Sequence, residues 1–216
     1  KSTMSMKNLV DKLRLYVLIS SNIATKSVKE TAELVIHGGA DAIQLREKTI
    51  SDTEFKSLSR EIHDLTTRKG ILLIINDRIK VAKEINADGV HLGQFDNTVS
   101  EARNILGTGK IIGVSTHTIS QAKEAQRLGA DYIAVGPIYA TKTKTHEPPV
   151  GLKLIQEITK EIDIPIIAIG AITLSNVKEV LRAGASRIAV CSAIINSKDI
   201  LSSTEEFKHK LASFSH

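Results

Sequence analysis

At 216 residues, 42% hydrophobic and 25% charged, the chain is long enough to bury roughly 70% of its unfolded surface and too apolar to stay disordered. No apolar run reaches the roughly 18–20 residues of a bilayer-spanning helix, the amino end lacks a signal-type apolar region, and one cysteine makes no intrachain disulfide, so the expected location is the cytoplasm. A formal charge of +5 on scattered lysines, with no tryptophan and 3% aromatics, supplies neither the basic cluster nor the stacking platforms of a nucleic-acid reader.

Lys1–Met6 reads as a disordered leader. After it, short apolar runs rich in β-branched residues alternate with amphipathic segments, which is the pattern of buried parallel strands and covering helices. The first strand, Leu15–Ile19, leads into Ser20, Ser21 and Asn22 rather than a G-x-G-x-x-G phosphate loop, which argues against an open dinucleotide-binding sheet. The second, Ala42–Arg46, carries Gln44, Arg46 and Lys48 at its end. The third, Leu72–Asn76, ends in Asn76, Asp77 and Arg78, and the fourth, Gly89–Leu92, contributes His91, Gln94 and Asp96. The fifth, Ile111–Ser115, is followed by Thr116 and His117. The sixth, Tyr132–Val135, opens the longest loop, Gly136 to Gly151, which contains Thr141, Lys142, Thr143 and Lys144. The seventh, Ile166–Ile169, ends at Gly170-Ala171, and the eighth, Arg187–Val190, at Cys191-Ser192. Residues Ser202–His216 read as a polar, charged helical tail.

Eight units in 216 residues leave about 27 per unit, enough for a strand, a helix of about three turns and two short loops. The fold expected is α/β, a single (β/α)8 TIM barrel spanning residues 1–216. An internal echo supports the regularity: Gly39-Ala40-Asp41, Asn86-Ala87-Asp88, Gly129-Ala130-Asp131 and Gly184-Ala185-Ser186 each precede a strand, close to two units apart. Glycine or asparagine past a helix end takes the left-handed conformation that stops the helix, so these positions are structural.

In such barrels the active site forms at the carboxyl ends of the strands, where the polar residues above should converge. Two carboxylates among cations, Asp77 and Asp96 near Arg46, Lys48 and Lys144, suit Mg²⁺ bridging a polyphosphate, because Mg²⁺ takes one or two carboxylates and fills its shell with phosphate oxygens and water. Taken singly, Asp77 could instead pair with Arg78 and Asp96 could close an Asx turn. The hydroxyl- and lysine-rich loop after the sixth strand reads as a lid that closes over phosphate. The turns Gly170-Ala171 and Cys191-Ser192 offer main-chain N–H groups to a second phosphate. His117 has the chemistry of an acid or base, and Cys191 reads as a small wall residue.

Together, Gln44-Leu45-Arg46-Glu47-Lys48, Asn76-Asp77-Arg78, Asp88-Gly89-Val90-His91-Leu92-Gly93-Gln94, Gly113-Val114-Ser115 and Gly136-Pro137-Ile138 resemble the thiamine-phosphate synthases, as do Thr141-x-Thr143-Lys144 and Ser192-Ala193-Ile194. The resemblance covers most of the chain. It implies a transferase that condenses 4-amino-2-methyl-5-hydroxymethylpyrimidine diphosphate with 4-methyl-5-(2-phosphoethyl)thiazole, or its carboxylate, to give thiamine phosphate and pyrophosphate by a dissociative route. It further implies that Gln44, Leu45, Arg46, Glu47, Lys48, Asn76, Ser115 and Lys144 hold the pyrimidine diphosphate, with Arg46, Lys48 and Lys144 catalytic. Asp77 and Asp96 would hold Mg²⁺. Thr141, Thr143, Gly170, Ala171, Cys191 and Ser192 would hold the thiazole phosphate, and Lys142 would be a further substrate-binding residue. Two positions depart from the family pattern: Phe95 stands where an acidic residue is common, and Ala171 where a second glycine is usual.

Two other readings remain open. The sister thiazole tautomerase shares the barrel and a histidine at the position resembling His117, but it releases no pyrophosphate. A phosphate-ligand sensor on the same scaffold would bind without turnover. Nothing in the sequence fixes whether copies of the chain assemble into a homo-oligomer.

Overall fold

The structure, a computed structural model, describes residues 10–141 and 148–214. Eight parallel strands close into a barrel in chain order, with the last pairing to the first. They are β1 (Leu15–Ile19), β2 (Ala42–Leu45), β3 (Leu72–Asn76), β4 (Gly89–Leu92), β5 (Ile111–Thr116), β6 (Tyr132–Val135), β7 (Ile166–Ile169) and β8 (Ile188–Val190). The helices between them are α1 (Val28–His37), α2 (Asp52–Lys69), α3 (Ile79–Glu84), α4 (Val99–Leu106), α5 (Ile119–Arg127), α6 (Gly151–Ile158) and α7 (Val177–Arg182). A short α8 (Ser192–Ile195) and a longer α9 (Ile200–Ala212) follow β8. Among the described residues no helix is long and apolar enough to cross a membrane.

Strand alternation sorts the apolar residues into two layers. One parity of each strand, including Val17, Ile43, Leu45, Leu73, Ile75, Val90 and Ile133, packs under the helices. The other parity, including Tyr16, Ala42, Leu72, Ile74, Ile111, Tyr132 and Ile167, fills the barrel interior. The helices start where the sequence supplies caps. Ser51 and Thr98 each close a capping box with Glu54 and Glu101, satisfying N–H groups that a helix start otherwise leaves unpaired.

The internal echo has a second purpose besides stopping helices. Gly39, Asn86, Gly129 and Gly184 all have positive φ, as the helix-stop argument requires. The aspartates then pin the strand before them: Asp41 Oδ2 accepts from Arg14 N and Leu15 N at β1, Asp88 Oδ2 from Leu73 N at β3, and Asp131 Oδ2 from Ile112 N at β5. Each carboxylate satisfies main-chain donors at the amino end of its neighbour, and this explains the two-unit period.

The polar-tail reading of the last segment is corrected. Helix α9 buries Ile200, Thr204, Phe207 and Leu211, spaced four, three and four residues apart, which is the stripe of a packed amphipathic helix. Its Lys208 Nζ meets Asp41 at 2.8 Å, tying the helix to the base of the barrel.

Candidate active site

At the carboxyl ends of the strands lies a solvent-open cavity. Its polar wall includes Arg46 from β2, Ser115 and His117 from β5, Thr141 from the loop after β6, and Cys191 and Ser192 from β8. Gly170 and Ala171 complete the side formed by β7. The apolar floor and walls come from Leu18, Ile23, Ala134, Pro137, Ile169 and Ile172. Arg46 stands close enough to Cys191 for its charge to oppose the effect of burial, which pushes the Cys191 thiol up to about 11. A thiol held protonated at neutral pH is a wall, not a nucleophile.

The β7 turn is held in a conformation that explains its composition. Gly170 has φ 110°, and a Cβ there would sit 2.4 Å from Pro137 Cα, so no side chain fits. Ala171 follows with φ 49°, a region costly for alanine. Asn176 braces it, donating from Nδ2 to Ala171 O at 3.0 Å while its Oδ1 accepts from Thr173 N at 2.8 Å.

Asp77 directly follows β3 and Asp96 lies in the loop after the adjacent strand β4, and neither is among the residues that line the cavity. Asp77 has φ 48°, a conformation that aspartate tolerates better than most residues. Its N–H donates to His91 O at 2.9 Å. Both Asp77 contacts fall on one oxygen: Lys48 Nζ pairs with Oδ2, and Asn76 Nδ2 donates to it at 2.9 Å. Asp96 likewise uses Oδ2 to accept from Gly93 N at 2.7 Å. Each carboxylate therefore keeps Oδ1 without a hydrogen bond from the described residues, on a strand end open to water. That donor set fits a hard cation with oxygen ligands, although no group of three or more His, Cys, Asp or Glu gathers among the described residues.

Arg78 is not Asp77's partner. Its guanidinium donates to Asp52 Oδ1 at 3.0 Å and to the carbonyls of Glu47 and Ile50 at 2.9 Å each, and lies over the Phe55 ring. It braces the loop that presents Arg46 and Lys48.

Several residues expected to touch substrate are placed otherwise. The Leu45 side chain belongs to the layer beneath the helices, because alternation sends it away from Gln44 and the barrel interior. Glu47 is buried and spends its carboxylate on Ser21, accepting from its N–H at 2.6 Å and its hydroxyl at 2.7 Å. Gln44 faces inward but is 2% exposed, too deep to line the cavity, and donates from Nε2 to the Tyr16 hydroxyl at 2.9 Å. Asn76, half-buried at the end of β3, donates from Nδ2 to Asp77. Lys142, Thr143 and Lys144 lie outside the described residues, as does the Lys1–Met6 leader.

Beneath the polar residues that follow the strands lies a buried network that their positions after the strands do not disclose. Tyr16 and Tyr132 hydroxyls meet at 3.1 Å in the barrel interior, Tyr132 meets His91 Nδ1 at 2.9 Å, and His91 Nε2 meets Ser115 Oγ at 2.8 Å. Burial raises both phenols above their ordinary range, so both stay protonated. The signal was present in strand parity, since Tyr16, Gln44, His91, Ser115 and Tyr132 all fall on inward positions. Gln94 adds a further brace, donating to Ser115 O at 2.6 Å.

Residues 15–194 match the family model described as thiamine monophosphate synthase. A thiamine-phosphate synthase of Halalkalibacterium halodurans is 46% identical over 90% of this chain and 93% of its own. That of Clostridium novyi is 44% identical over 87% and 93%. Among solved structures, a thiamine phosphate pyrophosphorylase from Pyrococcus furiosus superposes with a TM-score of 0.88 at 34% identity, covering 95% of this chain and 98% of that one.

Proposed function

Since the chain belongs to the thiamine monophosphate synthase family, we propose that the cavity at its barrel mouth joins 4-amino-2-methyl-5-hydroxymethylpyrimidine diphosphate to 4-methyl-5-(2-phosphoethyl)thiazole, with magnesium assisting release of pyrophosphate. The observation that carries this reading is the meeting of two sets of anion-suited groups in one cavity, cationic and hydroxyl side chains and main-chain turns. Arg46 and Ser115 line it, and so do the Gly170-Ala171 and Cys191-Ser192 turns. Two phosphorylated substrates need two such sets, and an apolar floor suits the flat heterocycles.

The chemistry asks little covalent work of the protein. The bond from the pyrimidine methylene to the diphosphate oxygen breaks, its electron pair leaves with pyrophosphate, and the thiazole nitrogen lone pair forms the new C–N bond. Arg46 binds the growing negative charge on the leaving group, and Lys48 joins it when an anion draws its ammonium from Asp77. Lys144 belongs to the same set by its place in the loop after β6. Asp77 and Asp96 would hold Mg²⁺ through their unengaged Oδ1 atoms, and the ion would supply charge that stabilises pyrophosphate as it departs. Thr141, with Lys142 and Thr143 beside it in sequence, and the β7 and β8 turns hold the thiazole phosphate. The gain is orientation of two reactants and electrostatic stabilisation of a leaving group.

Pyrophosphate release from the purified protein tests the reading. Release should require both substrates and a divalent cation, and Asp77→Asn or Asp96→Asn should raise the magnesium concentration for half-maximal rate at least tenfold while leaving the melting temperature within a few degrees. Metal-independent turnover would remove the two aspartates from the site. Conversion of the thiazole alone, without pyrophosphate, would favour tautomerase chemistry at His117, whose Nδ1 is engaged by Gly136 O at 2.5 Å.

A further inference from the structure

Beneath the cavity floor runs a continuous chain of side-chain hydrogen bonds, Gln44 to Tyr16 to Tyr132 to His91 to Ser115, with links of 2.9, 3.1, 2.9 and 2.8 Å. Four of its five members are buried; Ser115 alone lines the cavity. We propose that Gln44, Tyr16, Tyr132 and His91 are positioning residues that fix the direction of the Ser115 hydroxyl, so that its proton is offered to the substrate rather than turned into the barrel. The proposal rests on the function argued above for the identity of what Ser115 meets, but the direction of the chain is a property of the protein alone.

The direction follows from the Gln44 amide, whose Nε2 faces Tyr16, and from counting protons along the links beyond it. An amide nitrogen such as Gln44 Nε2 can only donate, and it donates to the Tyr16 oxygen. Tyr16 has one hydroxyl proton, and with Gln44 already donating to it that proton goes to Tyr132. Tyr132 in turn gives its proton to His91 Nδ1. The imidazole then carries its own proton on Nε2 and donates it to Ser115 Oγ, because a neutral ring has one donor and one acceptor nitrogen. Ser115 Oγ, having accepted from below, has its hydroxyl proton left for the cavity. The opposite direction would need the Gln44 amide turned over, so that Oε1 accepts from Tyr16; with Nε2 facing Tyr16, reversing any later link leaves two donors or two acceptors facing each other, which is costly where water cannot intervene.

The arrangement also gives Gln44 a role that its burial otherwise denies it. It sets the polarity at the far end of the chain, and Ser115 delivers that polarity to the diphosphate. A hydroxyl already aimed at the place where negative charge grows needs no reorientation during the reaction. Gly113 belongs to the same design, since a Cβ there would lie 1.9 Å from Tyr132 Cζ and displace the ring that carries the middle link.

Two measurements test this. Nitrogen-15 NMR of the full-length wild-type protein reads the His91 tautomer directly; the expected state is a bare Nδ1 and a protonated Nε2. A proton on Nδ1, or an imidazolium at neutral pH, would overturn the proposal, because Ser115 or Tyr132 would then be oriented the other way. Kinetics supplies the second. Tyr132→Phe, or Tyr16→Phe where the first variant folds poorly, should lower kcat roughly tenfold with the thiazole-phosphate KM unchanged, the loss of one oriented hydrogen bond. In a Ser115→Ala background the same change should do nothing further, since there is no hydroxyl left to aim. Losses that multiply in the double variant would make the tyrosines structural and sink the idea. Failure of both substrates to turn over in the wild type would instead remove the assigned function, with the NMR result still deciding the direction of the chain.

Discussion

Ala171 shows how one methyl group can be weighed against the backbone that carries it. The turn after β7 places this residue at φ 49°, where an L-side chain costs roughly 1–2 kcal/mol relative to glycine. Glycine would recover that strain and lose roughly 0.5–1 kcal/mol to the greater freedom of the unfolded chain. Ala171→Gly should therefore leave stability unchanged or raise it by up to about 1.5 kcal/mol, a few degrees in melting temperature for a chain this long. If the methyl also crowds the thiazole phosphate, the same variant lowers the thiazole-phosphate KM by roughly threefold to tenfold and leaves the pyrimidine diphosphate KM alone. A clear drop in melting temperature would show that alanine fits the turn without strain.

Elements were legible to the extent that their residues have one partner class. Five of the eight strand ranges match the apolar runs to the residue, and the others differ at one end, where Arg46 and Arg187 leave the ladder and Thr116 joins it. A β-branched run between helix stops leaves few alternatives. The site was less legible because a residue type names the chemistry it can do and not the direction it faces. Leu45, Glu47 and Gln44 stand inside a motif rich in cations, yet parity turns Leu45 outward, Ser21 engages Glu47, and Tyr16 engages Gln44. Gly113 in β5 is the converse, a residue with no chemistry on which a site depends. Gly113→Ala should cost at least 1–3 kcal/mol by overpacking the Tyr132 ring, measurable by denaturant unfolding. A smaller alanine penalty at Gly109, an exposed loop position with open space around it, serves as the control; equal penalties would mean that Tyr132 moves aside freely.

At the scale of the whole molecule, the barrel separates where it is held together from where it works. The aspartates of the internal echo, the Lys208 pair with Asp41 and the packed face of α9 all secure the amino ends of the strands, while the cavity occupies the opposite rim. Variants at the base should therefore change stability with little effect on turnover per folded molecule. Phe207→Ala, which empties a fully buried site in α9, should cost about 3–5 kcal/mol and yet leave kcat of the folded fraction near that of the wild type. A kcat that falls in step with stability would show that the two ends of the barrel are coupled.

Arg14 reaches from the start of β1 to two carbonyls late in the chain, that of Ser186 at 2.6 Å and that of Leu211 at 3.1 Å. Arg187 returns the contact to Asp11 O at 3.0 Å. The beginning and the end of the described chain are thus laced together on the face away from the mouth. A reporter or solid support joined at exposed Asp11 or Ser213 therefore sits below the barrel and leaves the rim open to incoming molecules. Immobilised through either of these positions, the protein should process substrate with the same kcat/KM in both orientations.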